Sequence, residues 1–343
     1  MTPTQDRPRQ RRRRPWRALL AVAALALTAA ACTGPTATSP NATAAPSETA
    51  KGVSGKHNGY RFAVVTHGTA GDMFWNVVKN GAVQAGKDLK DKVSYYSDGD
   101  PGAQSKLIDN AVAQHVDGLV VSMANPPALK ASIQRAVQAG IPVVTINSGE
   151  EQSAAYGAIG HVGQNESVAG EAAGKRFAQA GKHKLLCVIH EAGNVGQNQR
   201  CDGAAKGFGG TTKRLQVDIS NPTDTRARIQ GALQADPSID AVLTLNSQVA
   251  ALAVKAKAGA NAKAAIATFD LNADVVNEIK GGQLLFAVDQ QQYEQGYLPI
   301  VMLSLYLNNG NTVGGGKPVL TGPAFVDKSN VNTVGQYVDR GTR

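Results

Sequence analysis

The stretch RFAVVTHGTAGDMFW, residues 61–75, decides how the chain is read. Residues 62–66 form a short continuous apolar run, the pattern of a parallel strand buried on both faces. His67 to Asp72 follow as a loop in which two glycines allow the backbone to turn. Asp72 stands where a helix N-cap would stand, ahead of an amphipathic run over 74–89. A strand thus ends at a loop, an aspartate caps a helix, and Phe74 and Trp75 occupy its first turn. Ligands of open α/β sheets bind at the carboxyl ends of the strands. One carboxylate and two aromatic faces would therefore meet at such a crevice. Carboxylates accept hydroxyl hydrogen bonds, and aromatic rings cover the C–H face of a sugar ring. An ordinary N-cap with two core aromatics gives the same pattern, so the rest of the chain must decide.

Outward from this stretch, short apolar runs alternate with helical segments of about 10–16 residues, the signature of parallel α/β architecture. Strands are predicted at 62–66, 93–96, 118–122, 142–146 and 158–162, with helices at 74–89, 103–114 and 128–139. The pattern then restarts. Helices at 166–180, 199–207, 226–235, 249–258, 273–280 and 295–308 alternate with strands at 185–189, 215–218, 241–245, 265–269 and 285–288. Residues 112–122 (VAQHVDGLVVS) echo residues 233–244 (LQADPSIDAVLT): helix, turn, aspartate, strand. This fits two similar lobes better than one very wide sheet, and two lobes imply a cleft between them.

The chain has 343 residues and a formal net charge of +9. Most of that charge precedes the fold. Seven arginines and Asp6 within residues 1–31, then the apolar run 18–27 and the small residues 29–31, make an export signal. Cys32 directly follows and matches a lipoprotein cleavage site, where it would be lipidated; the alternative is a plain secretory peptide. The paired arginines leave Sec and twin-arginine export both open. Residues 32–59, rich in Ala, Thr, Ser, Pro and Asn, read as a lipidated disordered tether. No basic block remains beyond the signal, which removes an electrostatic case for nucleic-acid binding. With Cys32 taken by lipid, Cys187 and Cys201 remain as a pair suited to a disulfide in an oxidising compartment. No clustered ligands suggest a metal, and no cofactor motif is present: the Gly314-Gly315-Gly316-Lys317 run precedes a proline rather than linking a strand to a helix.

The predicted strand ends gather Asp, Asn, Gln, Arg and aromatic side chains. His67, Asp72, Phe74 and Trp75 follow the first strand, Ser122 and Asn125 the third, and Asn147 and Ser148 the fourth. Gln164 and Asn165 lie at the connection to the second half, and Arg200, Asn246, Asp270, Asp289 and Gln290 follow strands there. The set contains no Ser-His-Asp order and no histidine cluster. Amides, carboxylates and a guanidinium suit ring hydroxyls as both donors and acceptors.

Five motifs in order carry a resemblance: THGTAGDMFW (66–75), GIPVVTIN (140–147), HVGQN (161–165), ATFD (267–270) and FAVDQQQY (286–293). With them, residues 61–329 resemble the periplasmic binding protein type 1 sugar-binding family, the solute receptors of bacterial ABC importers, similar to ribose-binding protein. The resemblance implies two doubly wound α/β lobes joined by a three-crossover hinge. The N-terminal lobe would be 60–163 plus 291–317, and the C-terminal lobe 164–290 plus 318–335. It also implies a ligand site of Asp72, Phe74, Trp75, Asn147, Gln164, Arg200, Asn246, Phe269, Asp270 and Gln290, with His67 and Asn125 as weaker carry-overs. Asn147-Ser148 stands where ribose receptors carry Asp-Arg, and Asp72 where they carry an asparagine, so the cargo need not be ribose.

The expected protein is a monomeric, non-enzymatic, lipid-anchored extracytoplasmic receptor. It would deliver a sugar or polyol to an ABC permease and its ATPase. Two other readings compete: a sensory module coupled to a membrane receptor, and a secreted carbohydrate-active enzyme using Asp72 and Asp270 as an acid/base pair.

Overall fold

A computed structural model describes residues 59–343; the export signal, Cys32 and nearly all of the tether lie outside the described residues. Strand β1 (Arg61–Thr66) leads to helix α1 (Met73–Leu89), β2 (Lys92–Ser97), α2 (Pro101–Ala113), β3 (Gly118–Ser122), α3 (Pro126–Gln138), β4 (Val143–Ile146), the single turn α4 (Glu150–Ser153) and β5 (Gly160–Gln164). The second half repeats the scheme. It runs α5 (Glu166–Gln179), β6 (Lys184–Ile189), α6 (Val195–Phe208), β7 (Thr211–Gln216), α7 (Pro222–Ala235), β8 (Ala241–Thr244), α8 (Ser247–Gly259), β9 (Ala265–Phe269), α9 (Ala273–Gly281) and β10 (Leu284–Asp289). Helix α10 (Gln292–Asn309), β11 (Val319–Gly322), β12 (Ala324–Val326) and α11 (Val331–Val338) complete the chain.

Two six-stranded sheets result, ordered β11-β5-β4-β3-β1-β2 and β12-β10-β9-β8-β6-β7. All pairings are parallel except β10 with β12, which is antiparallel. The strand order reverses direction between β1 and β3 in one sheet and between β6 and β8 in the other. These reversals are the topological switch points, where helices on opposite faces leave a crevice. The central strands are buried on both faces, so they read as unbroken apolar runs. The edge strands β2 and β7 are half exposed and mix polar with apolar residues.

Asp72 caps α1 as its position predicted, its carboxylate accepting from the Phe74 N–H at 3.0 Å. Other helices begin earlier than periodicity suggests, because Asp100, Asn125 and Asn221 cap segments that open on proline. The sequence reading omits β11, β12 and α11, three short elements late in the chain. Helix α10 packs on α1 in the first lobe, and β11 pairs with β5. The assignment of 318–335 wholly to the second lobe is thereby corrected: Val319–Gly322 belongs to the first sheet. Gln164, too, ends β5 of the first sheet rather than opening the second lobe. The chain crosses between sheets after β5, after β10 and between β11 and β12, the last at a cis Gly322–Pro323 bond.

The α5–α6 pair is held unusually close. A β-carbon on Gly170 would lie 2.1 Å from the Arg200 carbonyl oxygen, and one on Gly203 would lie 2.2 Å from the Ser167 carbonyl oxygen. Only glycine allows the two backbones to meet there. The structure joins Cys187 on β6 to Cys201 on α6 as a disulfide, with α-carbons 5.9 Å apart.

Two outcomes follow for stability. Replacing both cysteines by alanine is expected to lower the unfolding free energy by about 3 kcal/mol, the loop-closure value for a loop of this length; equal denaturation midpoints would contradict it. Gly170→Ala is expected to cost about 1–3 kcal/mol by overpacking the helix pair, measured by urea unfolding.

Candidate functional site

The carboxyl ends of the two sheets face each other across a small cavity shared by both lobes. From the first lobe come His67 beyond β1, Asp72, Phe74 and Trp75 at the start of α1, and Asn147 and Ser148 beyond β4. From the second come His190 and Glu191 beyond β6, Asn194, Gln197 and Arg200 at the start of α6, Leu245 and Asn246 beyond β8, Asp270 beyond β9 and Gln290 beyond β10. The lobes touch around the cavity. The Val195 N–H donates to the Ala124 carbonyl at 3.0 Å, Ser148 Oγ to Asn194 Oδ1 at 3.2 Å, and Gln199 Nε2 to Glu151 Oε1 at 3.0 Å. This is a closed arrangement, and most of the polar side chains lining the cavity are buried.

Arg200 organises the second lobe's share. Its Nε and Nη2 donate to the two Glu166 oxygens at 2.6 and 2.8 Å, and its guanidinium lies over the Phe269 ring at 4.6 Å. Burial works against the Arg200 charge, but Glu166, with Asp270 and Glu191, outweighs it and holds the pKa above its ordinary value. Gln290 links the lobes. Its Oε1 accepts from Asn147 Nδ2 at 3.2 Å and its Nε2 donates to Asp270 Oδ1 at 2.6 Å. Asn147 and Asp270 both sit in the left-handed backbone region, with φ of 60° and 69°. Asn and Asp tolerate this region best, and non-glycine residues held there cluster at ligand sites.

The aromatics are packed edge to face, Phe74 to Trp75 at 4.9 Å and His67 to Trp75 at 4.7 Å. Burial pushes the carboxyls of Asp72 and Asp270 up to about 7. Burial, helped by the Arg200 charge, pulls His67 down to about 3. Burial likewise lowers His190 to about 4. Both imidazoles are thus neutral at pH 7. Among the described residues no group of three or more His, Cys, Asp or Glu is arranged to hold a metal.

Of the expected site residues, Asp72, Phe74, Trp75, Asn147, Arg200, Asn246, Asp270, Gln290 and His67 line the cavity. Three do not. Phe269 lies beneath Arg200 and supports it. Gln164 stands behind that, donating to Glu166 Oε2 at 2.9 Å. Asn125 caps α3 through the Ala128 N–H and lines a neighbouring groove instead. Sequence reasoning misses His190, Glu191, Asn194 and Gln197. A signal for them existed: His190 is the first residue after β6, as His67 is after β1, so the internal repeat places them at equivalent switch points.

Known proteins resemble the chain over most of its described residues. The family model described as periplasmic binding protein domain matches residues 62–312. A carbohydrate transporter from Acidothermus cellulolyticus 11B, solved in complex with myo-inositol, is 43% identical with a TM-score of 0.82, covering 83% of this chain and all of that one. The xylose/arabinose-binding protein XylF of Sulfolobus acidocaldarius is 24% identical over 247 residues, covering 65% of this chain and 60% of the relative. The ribose import binding protein RbsB of Haemophilus influenzae is 25% identical over 244 residues, covering 68% of this chain and 81% of the relative. The chain belongs to the periplasmic binding protein family.

Proposed function

We propose that the protein is the solute receptor of an ABC importer, capturing one neutral monosaccharide or cyclitol between its lobes and presenting it to a membrane permease. The observation that carries this reading is the closed cavity itself: small, shared by both lobes, and walled by carboxylates, amides and two aromatic rings. The polar and aromatic side chains around it suit a single hydroxylated ring. Asp72, Asp270 and Glu191 accept from hydroxyls, Asn246 adds a planar amide, and Phe74 and Trp75 face the ring's C–H surface. Arg200 spends much of its charge on Glu166, which disfavours an anionic sugar acid or phosphate as cargo. The relative holding myo-inositol makes a fully hydroxylated ring the first candidate.

No bond is made or broken in this mechanism. The ligand enters between open lobes, contacts both, and shifts the population toward the closed form. The permease then engages the closed form. An acid/base role for Asp72 and Asp270 has no support beyond their raised pKa values, which burial explains. Export, and anchoring through lipid on Cys32, complete the proposal.

Thermal shift against pentoses, hexoses, inositols, nucleosides and amino acids tests the reading. A neutral sugar or cyclitol is expected to raise the melting temperature with concentration; stabilisation by nucleosides or amino acids alone would overturn it. Asp270→Asn is expected to weaken that ligand roughly ten- to hundred-fold, the value of a charge-assisted hydrogen bond.

The pH dependence has a definite sign. Hydroxyl donors favour ionised carboxylates, so binding lowers the raised pKa values of Asp72 and Asp270 and releases protons. Affinity should rise between pH 6 and 8, seen by calorimetry in buffers of different ionisation enthalpy. Without ligand the same groups work the other way. The unfolded chain loses these protons near pH 4 and the closed form near 7, so their contribution to stability falls across that window. Affinity that falls toward pH 8 would contradict the assignment. Finally, Cys32→Ser should release the protein from the membrane fraction, and retention there would remove the anchor from the proposal.

A further inference from the structure

His190 follows β6 at the switch point of the second lobe and lines the cavity with its side chain almost wholly buried. Gln197, in the first turn of α6, holds it in one tautomer. Gln197 Oε1 accepts from two backbone N–H groups, those of His190 at 2.9 Å and Glu191 at 3.2 Å. An amide nitrogen in that place would face two donors, so the orientation of the amide is settled. Gln197 Nε2 then directs its two hydrogens to Glu191 Oε2 and to His190 Nε2, each at 3.1 Å. His190 Nε2 is therefore an acceptor. A neutral imidazole with an acceptor at Nε2 carries its hydrogen on Nδ1.

That Nδ1–H is buried and has no hydrogen-bond partner among the described residues. Three other donor groups of the wall are committed within the protein. Asn147 Nδ2 donates to Gln290 and Gln295, Gln290 Nε2 to Asp270, and Arg200 to Glu166, Gln290 and the Leu245 carbonyl. The three carboxylates can only accept when ionised.

We propose that His190 is a specificity-determining residue of the site, its Nδ1–H a fixed hydrogen-bond donor that reads one oxygen of a neutral ring polyol. The inference rests on the receptor reading above and deepens it. A hydroxyl oxygen satisfies the donor. A deoxy analogue with C–H at that position leaves it buried and unpaired, and is rejected roughly ten- to hundred-fold. An ammonium group there would oppose one donor with another.

Two measurements on the mature protein test this. Long-range ¹H–¹⁵N correlation at pH 7 without ligand should show His190 as the Nδ1–H tautomer; an Nε2–H tautomer overturns the proposal. Calorimetry with myo-inositol and the sugars of the screening panel should show His190→Phe, which keeps a ring and loses the donor, weakened roughly ten- to hundred-fold, with His190→Asn recovering part of the loss. Wild-type binding with His190→Phe unchanged overturns the role of His190 and leaves the receptor reading standing. Failure of the wild type to bind any neutral polyol overturns both.

Discussion

The Glu166–Arg200 ion pair is the constraint on which the site depends. Both side chains are buried, and their two-pronged contact spans α5 and α6. A buried guanidinium without its carboxylate would carry a desolvation cost of several kcal/mol. The pair also fixes where the second lobe can offer charge. Glu166 opens α5 directly after the first crossover, so the residue that neutralises Arg200 sits at the hinge itself. Close contact of the two helices through Gly170 and Gly203 brings the partners within reach. The disulfide from β6 to α6 then ties that helix pair to the strand whose end supplies His190 and Glu191. Backbone packing, covalent tie and ion pair thus converge on one corner of the cavity.

Closure has an electrostatic consequence. Bringing the lobes together buries Asp72 and Asp270 with too little positive charge to offset them, since Arg200 is already matched by Glu166. Burial raises both pKa values accordingly. A ligand rich in hydroxyl donors offsets this burial, which links occupancy to closure by differential interaction alone. Gln290 contributes at the hinge side, bonding Asn147 of one lobe and Asp270 of the other. The same amide therefore serves the fold and the cavity, and both of its partners have left-handed backbone.

Much of this was legible in the sequence because buried parallel strands are unmistakable as apolar runs and their ends fall into order. Strands β3 and β9 agree residue for residue with the expectation, and Asp72 caps α1 as its position predicted. Most of the cavity wall was legible for the same reason. The rest escaped for particular reasons. Strand β11 is four residues with one buried position, and only pairing with β5 gives it a lobe. Phe269 and Gln164 have the right residue types at the right strand ends, yet Arg200 covers Phe269 and Gln164 turns to Glu166 behind the wall. Asn125 looks like a ligand residue because caps and ligand contacts favour the same side chains. His190, Glu191, Asn194 and Gln197 form a network through one loop and one helix turn, and sequence spacing alone does not show which of them turns inward.

The central claim is that the lobes close on a neutral ring polyol. Small-angle X-ray scattering of the mature chain, with and without the polyol that stabilises it most, tests this most directly. The account predicts a smaller radius of gyration on saturation, with a ligand-bound profile that fits the closed arrangement of residues 59–343. Saturating ligand with an unchanged profile that remains open would contradict it.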